Sequence, residues 1–173
     1  MATEMGEYLV GAYLKFELGC DVVDYNVRSP DHGLLGLNEL DVIGFDFKHR
    51  QVYLCEVTTH LKGLLVGKES VATLSKIQSK HLWQRNYAKN YLENFSPTFM
   101  FWSPIVARGV AAELGKIDSL KLFINSRYTS AIEKLRDRAK NWKGEANNPA
   151  FRVLQIIEGL RKASPSVHLL TVA

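Results

Sequence analysis

Residues 38–59 of this 173-residue chain read NELDVIGFDFKHRQVYLCEVTT, and this stretch decides the fold. Two runs of strand-like composition flank a polar turn at residues 47–50, which predicts a β-hairpin with a four-residue connection. Pairing Asp46 with Gln51 at the turn would set the register of both strands. We therefore expect two antiparallel neighbours whose facing residues all follow from this one pair.

Acidic side chains occupy the end of this hairpin that lies away from the turn. The register predicts Asp41 opposite Glu56 and Glu39 opposite Thr58, and alternation puts all four on one face of the sheet. Like charges directly across a ladder are destabilising, so the three carboxylates indicate a bound cation. Oxygen ligands of this kind suit Mg²⁺ or Mn²⁺. The alternative is a set of solvated acids at strand ends with no metal to hold.

Length and composition are those of a globular domain. The chain is long enough to bury a core, and its 46% hydrophobic and 23% charged fractions are ordinary for a soluble protein. We expect a single domain over residues 1–173, with a core over about 4–125 and a helical C-terminal extension over about 126–173. The net charge of +4 permits nucleic-acid binding without demanding it.

The cysteines and the absence of long apolar segments bear on location. Cys20 and Cys55 have no metal-ligand spacing and adjoin apolar runs, which favours buried, reduced thiols. The acidic N-terminus lacks the basic segment of a signal peptide, and no apolar run approaches the ~20 residues that span a bilayer. These features predict a cytoplasmic protein without a membrane partner.

Hydrophobic periodicity predicts alternating helices and strands along the rest of the chain. Thr3 is the expected N-cap of the first helix. The order of elements places the chain in the α/β class, with a mixed β-sheet flanked by helices. The predicted helices cover residues 4–18, 69–94, 104–114, 129–142 and 150–162, and the predicted strands cover residues 20–26, 42–46, 51–54, 97–102, 120–124 and 167–172.

Several short motifs follow one another along the chain. They are Gly6-Glu7 in an early helix, then Asn26 and Arg28, then Glu39-Leu40-Asp41-Val42-Ile43, then Leu54-Cys55-Glu56-Val57, and then a lysine-containing helix. Taken in this order, the motifs resemble the PD-(D/E)XK nuclease superfamily. The chain looks closest to its small members of the Holliday-junction-resolvase type, over about residues 4 to 93. This resemblance implies a restriction-endonuclease-like core, a four-stranded mixed sheet flanked by helices.

The function that this resemblance implies is a metal-dependent endonuclease that hydrolyses DNA phosphodiester bonds. Asp41 and Glu56 match the two metal-binding acids, and the backbone carbonyl of Val57 would complete the inner shell of the Mg²⁺ ion. Glu7 matches the acidic residue of the first helix that often joins the catalytic site. The metal would stabilise charge on the phosphate and lower the pKa of an attacking water.

One position departs from the family pattern, because Thr58 stands where a catalytic lysine belongs. A threonine hydroxyl can hydrogen-bond a water but supplies no positive charge. The lysine could reach in from elsewhere, either from Lys62 in the following loop or from Lys76 or Lys80 on one face of the long helix. Otherwise catalysis is lost, and the chain is a nuclease-like DNA-binding or partner-binding module.

Basic residues in the middle of the chain are candidates for binding the DNA backbone. We select Lys62, Lys68, Lys76 and Lys80, while a solvated helix face is the alternative reading. A second basic cluster over residues 136–143 is favoured by the helix dipole alone, so DNA contact there is the weaker interpretation. The oligomeric state stays open, although cutting both strands of a duplex would need two sites and therefore a homodimer.

Overall fold

The structure is a computed structural model that describes residues 3–28, 39–61 and 70–163. None of the helices in these ranges is long and apolar enough to cross a bilayer. The elements in chain order are α1 (Met5–Phe16), β1 (Val22–Arg28), β2 (Glu39–Asp46), β3 (Gln51–Val57), α2 (Ser70–Tyr91), β4 (Ser96–Ser103), α3 (Arg108–Leu114), β5 (Leu120–Ile124), α4 (Ser126–Asn141) and α5 (Pro149–Ala163).

The five strands form one mixed sheet in the order β1-β2-β3-β4-β5. The pairs β1–β2 and β2–β3 are antiparallel, and a tight turn joins β2 to β3. The pairs β3–β4 and β4–β5 are parallel, and each follows a connection that carries a helix. The predicted α/β class with a mixed sheet flanked by helices is therefore confirmed, with five strands among the described residues.

The predicted hairpin register is also confirmed. Asp46 pairs with Gln51, and the ladder continues in that register as far as Val42 and Cys55. The turn itself is closed by the Asp46 carboxylate, whose Oδ1 accepts the backbone N–H of His49 at 3.0 Å. One short polar turn thus fixes which side chains meet across both strands.

Several predicted boundaries were wrong by a few residues. The N-cap of α1 is Glu4 and not Thr3, and Arg28 belongs to β1 and not to the following loop. The third predicted helix begins at residue 108 because the Asn125 side chain bonds both the N–H and the carbonyl of Val106, at 2.8 and 2.9 Å, and holds that segment outside the helix. The predicted strand over 167–172 lies outside the described residues.

The sheet is covered on both faces, and β4 shows this by its alternation. Met100 and Trp102 pack in the cluster that contains residues of α1, α4 and α5, while Phe101 packs in the cluster with α2 and α3. Leu135 of α4 and Phe151 of α5 are fully buried in the first cluster. The two C-terminal helices predicted as an extension therefore contribute to the main core.

Helix α1 lies unusually close to β1 at Gly11. A Cβ atom on Gly11 would come within 2.0 Å of the Tyr25 hydroxyl oxygen. That hydroxyl is itself held, because it accepts a hydrogen bond from Asn148 Nδ2 at 3.2 Å. The absence of a side chain at Gly11 is what allows the helix and the strand to approach.

We expect Gly11→Ala to destabilise the protein by about 1–3 kcal/mol, because the added methyl group must displace the Tyr25 ring. Urea unfolding measures this change. The matched control is Gly159→Ala in α5, where a Cβ atom would meet nothing within 4 Å. There the better helix propensity of alanine should raise the free energy of unfolding by up to about 1 kcal/mol. Stabilisation by both substitutions would contradict this account of the α1–β1 contact.

Candidate functional site

The site opens where strands β2 and β3 separate. Their last ladder pair is Val42 with Cys55, one pair short of the predicted pairing of Asp41 with Glu56. Beyond it the Asp41 carboxylate takes the place of the ladder, and its Oδ2 accepts the Val57 N–H at 2.7 Å. Because a side chain replaces a backbone partner, a cavity forms at this end of the hairpin.

This cavity has a volume of about 390 Å³ and gathers side chains from α1, β1, β2, β3 and α2. Glu39, the third carboxylate predicted for this sheet face, lines it as well. Lys62 and Lys68, also predicted to bind DNA, lie outside the described residues. The predicted catalytic and metal-binding residues that line the cavity are Glu7, Asp41, Glu56, Val57, Thr58, Lys76 and Lys80.

Lys80 is the cation at the centre of this cavity. Its Nζ donates a hydrogen bond to Glu56 Oε1 and lies 3.8 Å from Asp41 Oδ1. All three side chains are largely buried, with exposed fractions of 17%, 12% and 14% for Lys80, Glu56 and Asp41. Lys76, one turn earlier on the same helix, is exposed at the mouth of the cavity. Of the candidate replacement lysines in the described ranges, Lys80 is the one that contacts both acids.

The surroundings of Asp41 and Glu56 disfavour the ionised form of both carboxylates. Burial, and then the neighbouring Asp41 carboxylate, raises the pKa of Glu56 to about 8 in spite of Lys80. Burial also raises the pKa of Asp41, against the opposing effects of Lys80 and the Val57 N–H. For Lys80, burial lowers the pKa, but Glu56 and Asp41 outweigh it and the net shift is upward. The cavity therefore has a deficit of positive charge when both carboxylates are ionised.

Glu7 reaches the cavity from the first turn of α1. Its Oε2 accepts the Glu4 N–H at 3.0 Å, which completes one half of a capping box, and accepts Asn26 Nδ2 at 3.3 Å. Burial raises the pKa of Glu7 above its usual value. Gly6 allows this close approach, since a Cβ atom there would lie 1.9 Å from the Thr59 methyl carbon. Glu7 is thus a held carboxylate on the wall of the cavity.

The alternation of side chains between the two faces of the sheet is interrupted in β1 at Asn26 and in the neighbouring part of β2. The backbone of Asn26 is left-handed, with φ of 54°, a conformation that asparagine tolerates better than most residues. Tyr25 packs with the α1 cluster, whereas Val27 packs with the cluster that contains α2. On β2, Val42 and Leu40 divide between the same two clusters. Simple alternation therefore fails at Asp41, which lies between these two residues.

Glu39 is neutralised locally, because its Oε2 bonds Arg28 Nε at 3.1 Å. Across residues 3–28, 39–61 and 70–163, no three side chains of Asp, Glu, His or Cys are arranged to hold a metal ion. Asp41 and Glu56 remain as the pair of carboxylates that approach the same atom, Lys80 Nζ. Two carboxylates are a sufficient protein contribution for Mg²⁺, which keeps several waters and often also binds substrate phosphate.

Two buried hydroxyl groups in the cavity lack hydrogen-bond partners among the described residues. They are Thr58 Oγ1 and Thr73 Oγ1, and both side chains line the cavity. Buried hydroxyls are normally satisfied, so these two favour a polar guest such as water or a phosphate oxygen. With the Asp41 and Glu56 carboxylates in the same cavity, which Val57 also lines, the oxygen-rich donor set fits a hydrated Mg²⁺ or Mn²⁺ ion.

No family model, curated protein or solved structure matches this chain. The interpretation of the cavity therefore depends on its own residues and on their contacts. Thr73 is one lining residue that the sequence analysis missed. Its spacing from Ile77 and Lys80, at i, i+4 and i+7, is the signal that places all three on one face of α2. The pairing of Arg28 with Glu39 was missed too, since no local pattern indicates it.

We expect the free energy of unfolding to fall as the pH rises through the range 4.5 to 8 in the presence of a chelator. The pKa of Glu56 is 4.5 in the unfolded chain and about 8 in the folded protein, so the folded protein binds this proton more tightly. The stabilisation that results from the proton is complete below pH 4.5 and is lost above pH 8. Each unit of pKa difference corresponds to about 1.4 kcal/mol. Urea unfolding across this pH range should show that Glu56→Gln flattens the profile. The control Glu113→Gln, at an exposed carboxylate of α3, should leave the slope unchanged.

Proposed function

We propose that this protein is a metal-dependent endonuclease with a restriction-endonuclease-like core, and that it hydrolyses DNA phosphodiester bonds. The observation that carries the proposal is the position of Lys80. Its Nζ contacts Glu56 and approaches Asp41 in the cavity where the strands separate. A cation from α2 thus stands beside the two acids, although Thr58 occupies the usual lysine position.

The arrangement of elements supports the same proposal. Glu7 on an early helix, Asp41 on β2 and Glu56 on β3 converge on one cavity, and the helix after β3 supplies the lysine. This is the order in which the motifs that resemble the PD-(D/E)XK superfamily occur along the chain. The mixed sheet with helices on both faces is compatible with the core that the resemblance implies.

Each residue has a role that its contacts support. Asp41, Glu56 and the Val57 carbonyl would hold Mg²⁺ or Mn²⁺, which when bound supplies charge stabilisation and an activated water. Lys80 can offset the two carboxylates and donate to a phosphate oxygen. The Thr58 hydroxyl has no hydrogen-bond partner among the described residues and can orient a water. Glu7 is an accessory or orienting residue, since the Glu4 N–H and Asn26 Nδ2 both donate to its Oε2 and hold its carboxylate on the cavity wall.

The second candidate function is a nuclease-like module that binds DNA or a partner without cleaving. The threonine at position 58 favours it, because that residue supplies no charge at the usual place of the lysine. In such a module Lys80 would act only to neutralise two buried acids, because buried carboxylates without a cation would destabilise the fold. Metal binding separates the two functions, since only the catalytic site requires it.

We expect Mg²⁺ or Mn²⁺ to stabilise the wild-type protein, by about 2.7 kcal/mol at a metal concentration one hundred times the Kd. The physical reason is that metal binds the folded carboxylate pair and not the unfolded chain. Thermal unfolding with and without metal, beside calorimetric titration, measures it. Asp41→Asn and Glu56→Gln should lose the stabilisation, and Glu113→Gln should keep it. A wild-type protein that is unmoved by either metal would favour the non-catalytic module.

We expect metal-dependent cleavage of plasmid or branched DNA that Asp41→Asn and Glu56→Gln reduce to background. Lys80→Gln should lower the cleavage rate by about 10²–10³-fold, because it removes a preorganised cation from the transferring phosphoryl group. Lys116→Gln on the exposed surface near α3 is the matched lysine control and should cut like wild type. Full activity in both acidic-residue variants would show that this cavity is not the active site.

A further inference from the structure

Three arginines of α4 and α5 are paired with carboxylates. Arg136 Nε and Arg161 Nη1 each bond the same Glu158 oxygen at 3.0 Å. Arg138 Nε bonds Glu17, the residue just beyond α1, at 3.2 Å. Arg136 therefore joins α4 to α5 and Arg138 joins α4 to the end of α1, whereas Arg161 pairs within α5. Their charges are compensated, so they are not candidates for a ligand.

Four further cations, from α4, α5 and the segment between them, line a cavity of about 240 Å³, here termed the α4–α5 groove. None of them forms an ion pair within 4 Å in the part of the chain that the structure describes. The Glu158 carboxylate, already paired with two arginines, also interacts electrostatically with one of these cations, Lys140. These cations are Lys140, Lys143, Arg152 and Lys162.

The spacing of these cations suits an extended polyanion. Arg152 and Lys162 lie ten residues apart on one face of α5, which corresponds to about 15 Å along the helix. One strand of DNA carries a phosphate about every 3.4 Å along the duplex axis, so about four phosphates span that length. Gln155 anchors the groove by donating to the Trp142 carbonyl at 2.9 Å. Beside its four cations and Gln155, the groove is lined by the exposed side chains of Trp142 and Ile156.

Contacts of α1 relate the α4–α5 groove to the acidic cavity, which is the cavity lined by Glu7, Asp41 and Glu56. Arg152 also lines an adjoining cavity with Asn148 and the carboxylate of Glu145. The Asn148 side chain donates to the Tyr8 carbonyl at 2.8 Å. Tyr8 directly follows Glu7, which lines the cavity that contains Asp41 and Glu56. One helix thus contacts both places.

We propose that the α4–α5 groove binds the sugar–phosphate backbone of the nucleic acid whose phosphodiester is presented to the acidic cavity. The proposal takes its substrate class from the proposed function, but it does not require cleavage. A phosphate backbone is the favoured occupant because its regularly spaced charges match four cations spread along the groove. The contact is expected to be independent of base sequence, since no base edge is needed to satisfy these side chains.

The test is fluorescence anisotropy of a labelled short duplex and of a single strand with the full chain in EDTA, over salt concentrations of about 50 to 200 mM. The variant is Lys143→Gln/Arg152→Gln, and the matched control, with the same loss of charge, is Lys116→Gln/Lys134→Gln. We expect the groove variant to lose at least about tenfold in affinity for every sequence. Its plot of log K against log salt should flatten by about 0.9 for each charge removed.

The control variant should keep most of the affinity and most of the salt slope. A groove variant that binds DNA no worse than the control overturns the proposal. Binding of wild-type protein to heparin or polyglutamate but to no nucleic acid overturns it as well, and would assign the groove to another acidic partner. Circular dichroism and the thermal shift with Mn²⁺ verify that the groove variant is folded and keeps its acidic cavity intact. Loss of DNA affinity in a variant that still responds to Mn²⁺ supports the groove whether or not the wild type cleaves.

Discussion

The contact of Lys80 with Glu56 and Asp41 is the interaction on which the rest of this structure depends. Two carboxylates and one ammonium group are removed from water at the end of the β2–β3 ladder, and each would be costly to bury alone. The ion cluster ties α2 to the sheet at the place where the backbone pairing stops. Packing supplies the stability of the fold, but this cluster determines where the sheet is left open to a ligand.

The hairpin and most of the site residues could be predicted because their signals are local. A short turn and a period of two fix the hairpin register, and carboxylates in strand-like runs stand out against apolar neighbours. The choice of Lys80 over Lys76 could not be made, since it depends on how α2 lies over the sheet. Two other contacts join residues that are too distant in sequence for any periodic pattern to indicate. They are the bond of Asn125 to Val106, which holds that segment outside α3, and the bond between Arg28 and Glu39.

Helix α1 links the two candidate ligand-binding regions. Its first turn places Glu7 on the acidic cavity, its glycines allow close contact with β1 and β3, and Glu17 just beyond its end bonds Arg138 of α4. The segment before α5 is attached to the same helix through Asn148 and Tyr8. The C-terminal helices are therefore oriented relative to the cavity by direct contacts. A backbone that crosses both regions would meet surfaces held at a fixed separation.

The left-handed backbone at Asn26 has a consequence for how the two layers of the protein communicate. On either side of it, β1 sends one hydrophobic side chain into the α1 layer and the next such side chain into the α2 layer. This strand is therefore anchored in the hydrophobic clusters on both faces of the sheet, with one anchor on each side of Asn26. Because Asn26 lies opposite Asp41, a shift of either helical layer would move the backbone next to the acidic pair.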